Sequence, residues 1–210
     1  MVTVSEIRYE RSFVCVLLDS GEHFWLRKSD FPKSGLCEGN SYEYESILQT
    51  IRLFQYPRAL NYAVAMLARR PCSRKEIMSR LLFRRFCEDV AELVLFKLEK
   101  EKLIDDRSFC EQWIQYRSHN GFGLSAIRRE LIIKGIPEDM ISDCLNLSNP
   151  ESEEEYAVRQ AQKYWKRIKP EEDIRKARQK VITALVRKGF DWDTARKACS
   201  TAENKDRTDN

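Results

Sequence analysis

Histidine is scarce in this chain: His23 and His119 are the only two in 210 residues, and neither has a neighbour at metal-ligand spacing. No CxxC pair occurs. The seven cysteines (15, 37, 72, 87, 110, 144 and 199) are dispersed and odd in number, so they read as reduced, small hydrophobes rather than as a disulfide framework. No apolar run is long enough to span a bilayer, and the opening Met-Val-Thr-Val-Ser-Glu lacks a basic stretch leading into an apolar core. A soluble, cytoplasmic protein with no membrane contact is therefore expected. Excess charge is missing too. The 37 basic and 33 acidic residues leave a net +4, too balanced for a protein that holds nucleic acid by bulk charge alone. No nucleophile–base pair stands out. The expectation is no enzyme, no cofactor and no metal.

What is present is a globular composition, 42% hydrophobic and 33% charged, in two textures. Residues 1–55 read as a small β-rich segment. Ser12 to Leu18 is rich in β-branched and aromatic residues, Asp19-Ser20-Gly21 supplies a turn, and Glu22 to Arg27 alternates again. From about Tyr56 the chain becomes helical, with apolar residues three and four apart. The last stretch, 202–210, reads as a polar disordered tail.

The helical part repeats. Aromatic–small pairs Tyr62-Ala63, Phe109-Cys110 and Tyr156-Ala157 recur at intervals of 47 residues. Leu81, Leu131 and Leu185 then align, each followed five residues on by Phe86, Ile136 or Phe190 and eight on by Asp89, Asp139 or Asp193. The apolar positions beyond them trace one helix stripe each time. The predicted fold is mainly α: three tandem three-helix modules at 56–105, 106–149 and 150–201, elongated and curved as a stack. The glycine-rich stretch Gly121-Phe122-Gly123-Leu124-Ser125 is then a joint between helices, with Ser125 where a helix could start. Its counterparts are Arg70-Pro71-Cys72-Ser73 and Ile168-Lys169-Pro170-Glu171. A phosphate-binding loop would follow a buried strand and carry lysine at the helix start, which this one does not. Asp105 or Asp106 is expected to cap the helix beginning near Arg107, and the acidic run Glu151 to Glu155 to open another.

Positive charge gathers at these joints. From Arg58 to Lys134 there are 16 basic and 10 acidic residues. The candidate partner- or DNA-binding residues are Arg70, Arg74 and Arg84 in the first module, and Arg117, Arg128, Arg129 and Lys134 in the second. Arg128 and Arg129 are adjacent on a helix, about 100° apart, so both cannot face the core. Further cations, Arg175-Lys176, Arg178, Lys180 and Arg187-Lys188, follow in the third module. A solvated helix face is the competing account of all of them.

Several of these stretches resemble the RecX family, regulators of the bacterial recombinase RecA. The carriers are Ala68 to Ser73 with Glu76 and Leu81-Leu82, then Lys102 to Phe109 with Trp113 and Arg117, then Gly123 to Leu131 with Lys134-Gly135-Ile136. Two positions depart from the family pattern: Arg85 stands where many members have glycine, and Leu124 where many have proline. The resemblance implies a protein that binds in the groove of the RecA filament on single-stranded DNA; a monomer with weak nonspecific DNA contact is expected. There it would limit filament growth and damp strand exchange, ATP turnover and co-protease action. A stand-alone helical DNA-binding protein, or a repeat scaffold for another protein, is the alternative.

Overall fold

The computed structural model describes residues 1–147, 150–168 and 173–208, without the side chains of 150–152 and 206–208. The chain forms two compact units, Met1–Asp105 and Asp106–Asn210.

The first unit opens with a four-stranded antiparallel sheet of order β3-β2-β1-β4, from β1 (Val2–Tyr9), β2 (Phe13–Leu18), β3 (His23–Arg27) and β4 (Ser41–Tyr42). The expected hairpin is β2–β3, pairing Val14 with Leu26 and Val16 with Phe24. Inward residues of period two, Val4, Val14, Val16, Leu18, Phe24 and Leu26, are buried. Three helices follow: α1 (Tyr44–Leu67), α2 (Arg74–Phe83) and α3 (Glu88–Lys100).

Helix α1 starts at Tyr44, a dozen residues before the texture change at Tyr56, and runs through Pro57. Proline normally ends a helix because it lacks an N–H and crowds the preceding turn. Here Pro57 and Leu53, whose carbonyl loses its partner, both lie on the exposed side, where water can replace the missing bond. The early turns bury Ile47, Leu48 and Ile51 against the sheet, and Ala59 and Ala63 continue the stripe. Sheet and first module therefore share one core instead of forming separate bodies divided at 55 and 56.

Buried Gln55 fastens the two. Its amide donates to the Trp25 carbonyl of β3 at 2.6 Å and accepts from the Cys87 N–H at the start of α3 at 2.7 Å.

The second unit contains α4 (Asp106–His119), α5 (Leu124–Ile133) and α6 (Glu138–Leu147), then α7 (Pro150–Ile168), α8 (Ile174–Arg187) and α9 (Trp192–Thr208). Two cores fill it. One lies around Ile127, Leu131 and Ile141, the other around Val181, Leu185 and Ala195. Residues 202–208 of the expected disordered tail are instead the end of α9, helical through Thr208, and 209–210 lie outside the described residues. Ala202 and Glu203 are buried, and Glu203 takes both arms of Arg178 at 2.6 and 2.7 Å. A polar composition hid a helix anchored by one apolar residue and one ion pair. The third predicted joint, at 168–171, falls largely outside the described residues. Asp173 beside it caps α8 through the Arg175 and Lys176 N–H groups.

All three second helices end alike. Arg85, Gly135 and Gly189 have φ of +68°, +83° and +91°. The next N–H, of Phe86, Ile136 or Phe190, bonds back to the carbonyl of Leu81, Leu131 or Leu185. This is a Schellman stop, which requires a left-handed residue. The aligned leucines are therefore the last buried turn of each helix.

Candidate interaction surface

The starts of the second helices differ. Ser73 accepts from the Glu76 N–H while Glu76 reaches back to the Ser73 N–H, a complete capping box. In the second module the cap is Gly123, not Ser125. A Cβ on Gly123 would lie 2.3 Å from the Gly189 backbone, and its N–H donates to the Lys188 carbonyl at 3.0 Å. The site is too tight for a capping side chain. Glu153 on α7 supplies one from outside, accepting the Leu124 N–H at 3.1 Å. Leucine in place of the family's proline provides the donor that this bond uses.

The predicted cations are largely engaged within the fold. Arg70 pairs with Glu76 at 3.2 Å, and Arg74 with Glu92 and Glu99 at 2.5 and 2.9 Å. Arg117 forms a two-pronged pair with Glu130, which also accepts from the Trp113 indole at 3.0 Å. The Arg117 guanidinium lies 3.4 Å from the centroid of the Phe122 ring. Arg128 pairs with Glu138. Its neighbour Arg129 is exposed, and among the described residues its hydrogen bond is to the Ser125 carbonyl at 3.3 Å.

Arg84 and Lys134 share a further role with Lys188. These three occupy the C-cap of α2, α5 and α8, where a cation meets the negative helix end. Each also lies over a ring on the first helix of its module: Arg84 4.8 Å from Tyr62, Lys134 4.0 Å from Trp113, Lys188 6.0 Å from Tyr164. The cations at the joints thus first serve the fold.

Apolar residues are what each module leaves uncovered at this point. After buried Leu81 come exposed Leu82 and Phe83, after Leu131 come Ile132 and Ile133, and after Leu185 comes Val186. Phe83 is 80% exposed and Ile133 75%. Burial cannot explain them, and no motif announces them. Their signal in the sequence is a second apolar residue after each aligned leucine, and a third after Leu81 and Leu131.

Among the described residues no cluster of three His, Cys, Asp or Glu side chains is placed to hold a metal. Burial first, and then a hydrogen bond between the free thiols of Cys110 and Cys144, push the Cys110 thiol up to about 12, and burial pushes the Cys199 thiol up to about 11. A cavity of about 470 Å³ lined by Ile114, Phe122, Cys144, Glu153 and Tyr156 lies in the second unit. Glu153 is already committed there to capping α5. Among the described residues, no helix is long and apolar enough to cross a membrane.

The tandem three-helix organisation has relatives. Family models of the second and third three-helix domains of RecX match residues 105–145 and 151–199. A regulatory protein RecX of Prosthecochloris aestuarii is 34% identical over 140 residues, covering 66% of this chain and 89% of that protein. The chain belongs to the RecX family. Another regulatory protein RecX, from Mycolicibacterium smegmatis, is 32% identical over 143 residues, covering 66% of this chain and 76% of its own. A solved crystal structure of regulatory protein RecX superposes with a TM-score of 0.61 at 25% identity, over 92% of this chain and 97% of that one. These relatives are named as regulators, and the ends of α5 and α8 described above lie inside the matched second and third domains.

Proposed function

We propose that this protein is a cytoplasmic, non-enzymatic negative regulator of RecA that acts as a monomer. It binds the RecA filament on single-stranded DNA, limiting filament growth and damping strand exchange, ATP hydrolysis and co-protease action. Family membership supports the partner. The observation that carries the reading is the recurrence of exposed apolar residues at corresponding helix ends, Leu82-Phe83, Ile132-Ile133 and Val186. Isolated exposed hydrophobics need no explanation, but the same exposure at one point of successive modules suits a partner that itself repeats. Contacts weak one by one then combine through effective concentration. Arg84 and Arg129 border these residues as rim charges. Arg70, Arg74, Arg117, Arg128 and Lys134 support the surface by holding the helix ends in place.

Co-sedimentation with RecA filaments assembled on single-stranded DNA tests this, together with inhibition of their ATP hydrolysis. The double variant Phe83→Ser, Ile133→Ser should fold normally, since both side chains are largely exposed, and should lose inhibition at least tenfold. Reversing Arg128 and Arg129 to glutamate should weaken inhibition less and soften its salt dependence. Full inhibition by the Phe83, Ile133 variant would refute the surface. Failure of the wild type to bind filaments would refute the partner.

A further inference from the structure

The cavity of about 470 Å³ in the second unit holds polar groups that the fold leaves unsatisfied. Ser118 of α4 lies at its wall and is 8% exposed. Helical hydroxyls commonly bond the carbonyl four residues back, as Thr50, Thr183, Ser200 and Thr201 do. The Ser118 hydroxyl has no hydrogen bond among the described residues. It shares the cavity with Glu153 of α7, whose Oε1 accepts the Leu124 N–H while Oε2 has no partner among the described residues. Burial raises this carboxyl above the ordinary range, the Leu124 N–H opposes the rise, and nearby Asp191 adds to it. No Lys, Arg or His is among the described residues of the lining. Exposed Glu111 has its own partner in Arg107 at 3.5 Å. Ile114, Leu124 and Leu147 supply apolar wall, and Leu147 is 73% exposed. A carboxylate partly out of water without a cation, beside an idle hydroxyl, is a place that a cation would stabilise.

We propose that this cavity binds an aliphatic primary ammonium, its stem along the apolar wall and its head bonded to Glu153 and Ser118. The head group follows from what is left open. An ammonium carries three donors on one point of charge, which suits a single carboxylate oxygen and a hydroxyl. A guanidinium favours a two-pronged grip on both oxygens of a carboxylate, and here Oε1 is taken by the Leu124 N–H. Phe122 and Tyr156 already carry Arg117 and Arg159, 3.4 and 4.9 Å from their ring centroids, so they serve as wall. The volume falls within the range of small-ligand sites, about 300–1,000 Å³. A free alkylamine and a lysine side chain carry the same head and stem.

This inference goes beyond the RecA reading and concerns the protein alone. The test is an NMR titration of the isotope-labelled full chain with n-pentylamine at neutral pH, following the Leu124 amide that Glu153 holds. That resonance should shift saturably, and n-pentanol should not move it. Glu153→Gln keeps an acceptor for Leu124 without the charge. It should weaken binding roughly tenfold or more, the loss expected for one charge-assisted bond. Ser118→Ala should weaken it about threefold or more, as loss of one neutral bond does. Glu155→Gln removes the same charge from an exposed site on α7 and should have little effect. Pentylguanidine should bind more weakly than pentylamine. Tighter binding by acetyl-lysine methylamide than by pentylamine would support the site with a partner's lysine as occupant, and the reverse order would support it with a free amine.

No saturable shift at millimolar amine would overturn the site. So would an equal response to n-pentanol, which would leave an apolar hole only, or unchanged binding by Glu153→Gln. Equal loss in Glu155→Gln would reduce the effect to bulk charge and overturn it as well. A guanidine that binds as tightly as the amine would overturn the ammonium assignment. Filament co-sedimentation of the Glu153→Gln variant is scored separately, so failure of this cavity and failure of the RecA reading give different results.

Discussion

Arg85 occupies a left-handed position that its two counterparts fill with glycine, at φ +68°. A side chain there costs about 1 kcal/mol or more. The same side chain lies 4.0 Å over the Trp25 ring and pairs with Glu10, so it ties the end of α2 to the sheet. A cation–π contact contributes roughly 0.5–1 kcal/mol when exposed, and a surface ion pair up to about 1. Strain and clasp therefore nearly cancel. Arg85→Gly removes both and should remain within about 1 kcal/mol of wild type, whereas Arg85→Ala keeps the strain and loses the clasp. Urea unfolding should place the alanine variant about 1 kcal/mol below the glycine variant. The reverse order would mean that the left-handed turn carries no strain.

Glu153 poses the matching question for charge. Burial raises its carboxyl above the ordinary glutamate value of 4.5, against the Leu124 N–H, which favours the ionised form. A carboxyl with a raised folded value holds its proton better folded than unfolded. Its contribution is therefore complete below the ordinary value and declines as pH climbs to the folded value. Glu153→Gln keeps the acceptor without the charge. It should be at least as stable as wild type at neutral pH, with a flatter profile between pH 4.5 and neutrality. Glu153→Ala strands the Leu124 N–H and should lose about 1–3 kcal/mol. Thermal melts across that interval distinguish the two, and a glutamine variant as weak as alanine would contradict the burial account.

At the scale of elements, the sequence displayed the device that repeats and concealed the ones that occur once. Leu81, Leu131 and Leu185 aligned because each helix must bury its last turn before a Schellman stop. The β2–β3 hairpin was legible from its turn and its alternation. The start of α1 was not: Pro57 resembles a first-turn proline, and only the sheet below explains why Tyr44 to Tyr56 is helical. Gln55 has no motif, since one glutamine on an amphipathic helix is ordinary, and its two bonds join residues 30 and 32 positions away. The basic joints were seen, but their acidic partners lie 6 to 25 residues off in sequence. Charge could be counted from the chain, and pairing could not.

At the scale of the whole molecule, the chain has two units and three modules, so one unit holds two modules. The seam inside that second unit is where Gly123 and Gly189 meet backbone to backbone, with the Lys188 carbonyl bonded across it. Such a seam has a mechanical meaning. Pulled from its ends, a chain of independent repeats gives way one repeat at a time. A seam closed by main-chain contact between two glycines passes the load from one module directly to the next. Residues 106–210 should therefore yield in a single rip, releasing ~350–380 Å of contour at about 3.3–3.6 Å per residue. Optical-tweezer traces of the full chain would show it. Gly123→Ala forces a methyl group against the Gly189 backbone and should split that rip into two smaller ones. Two steps in the wild type would mean that the seam bears no load. Under the proposed function, a filament under tension would be held by the last two modules as one mechanical piece, gripped and released together.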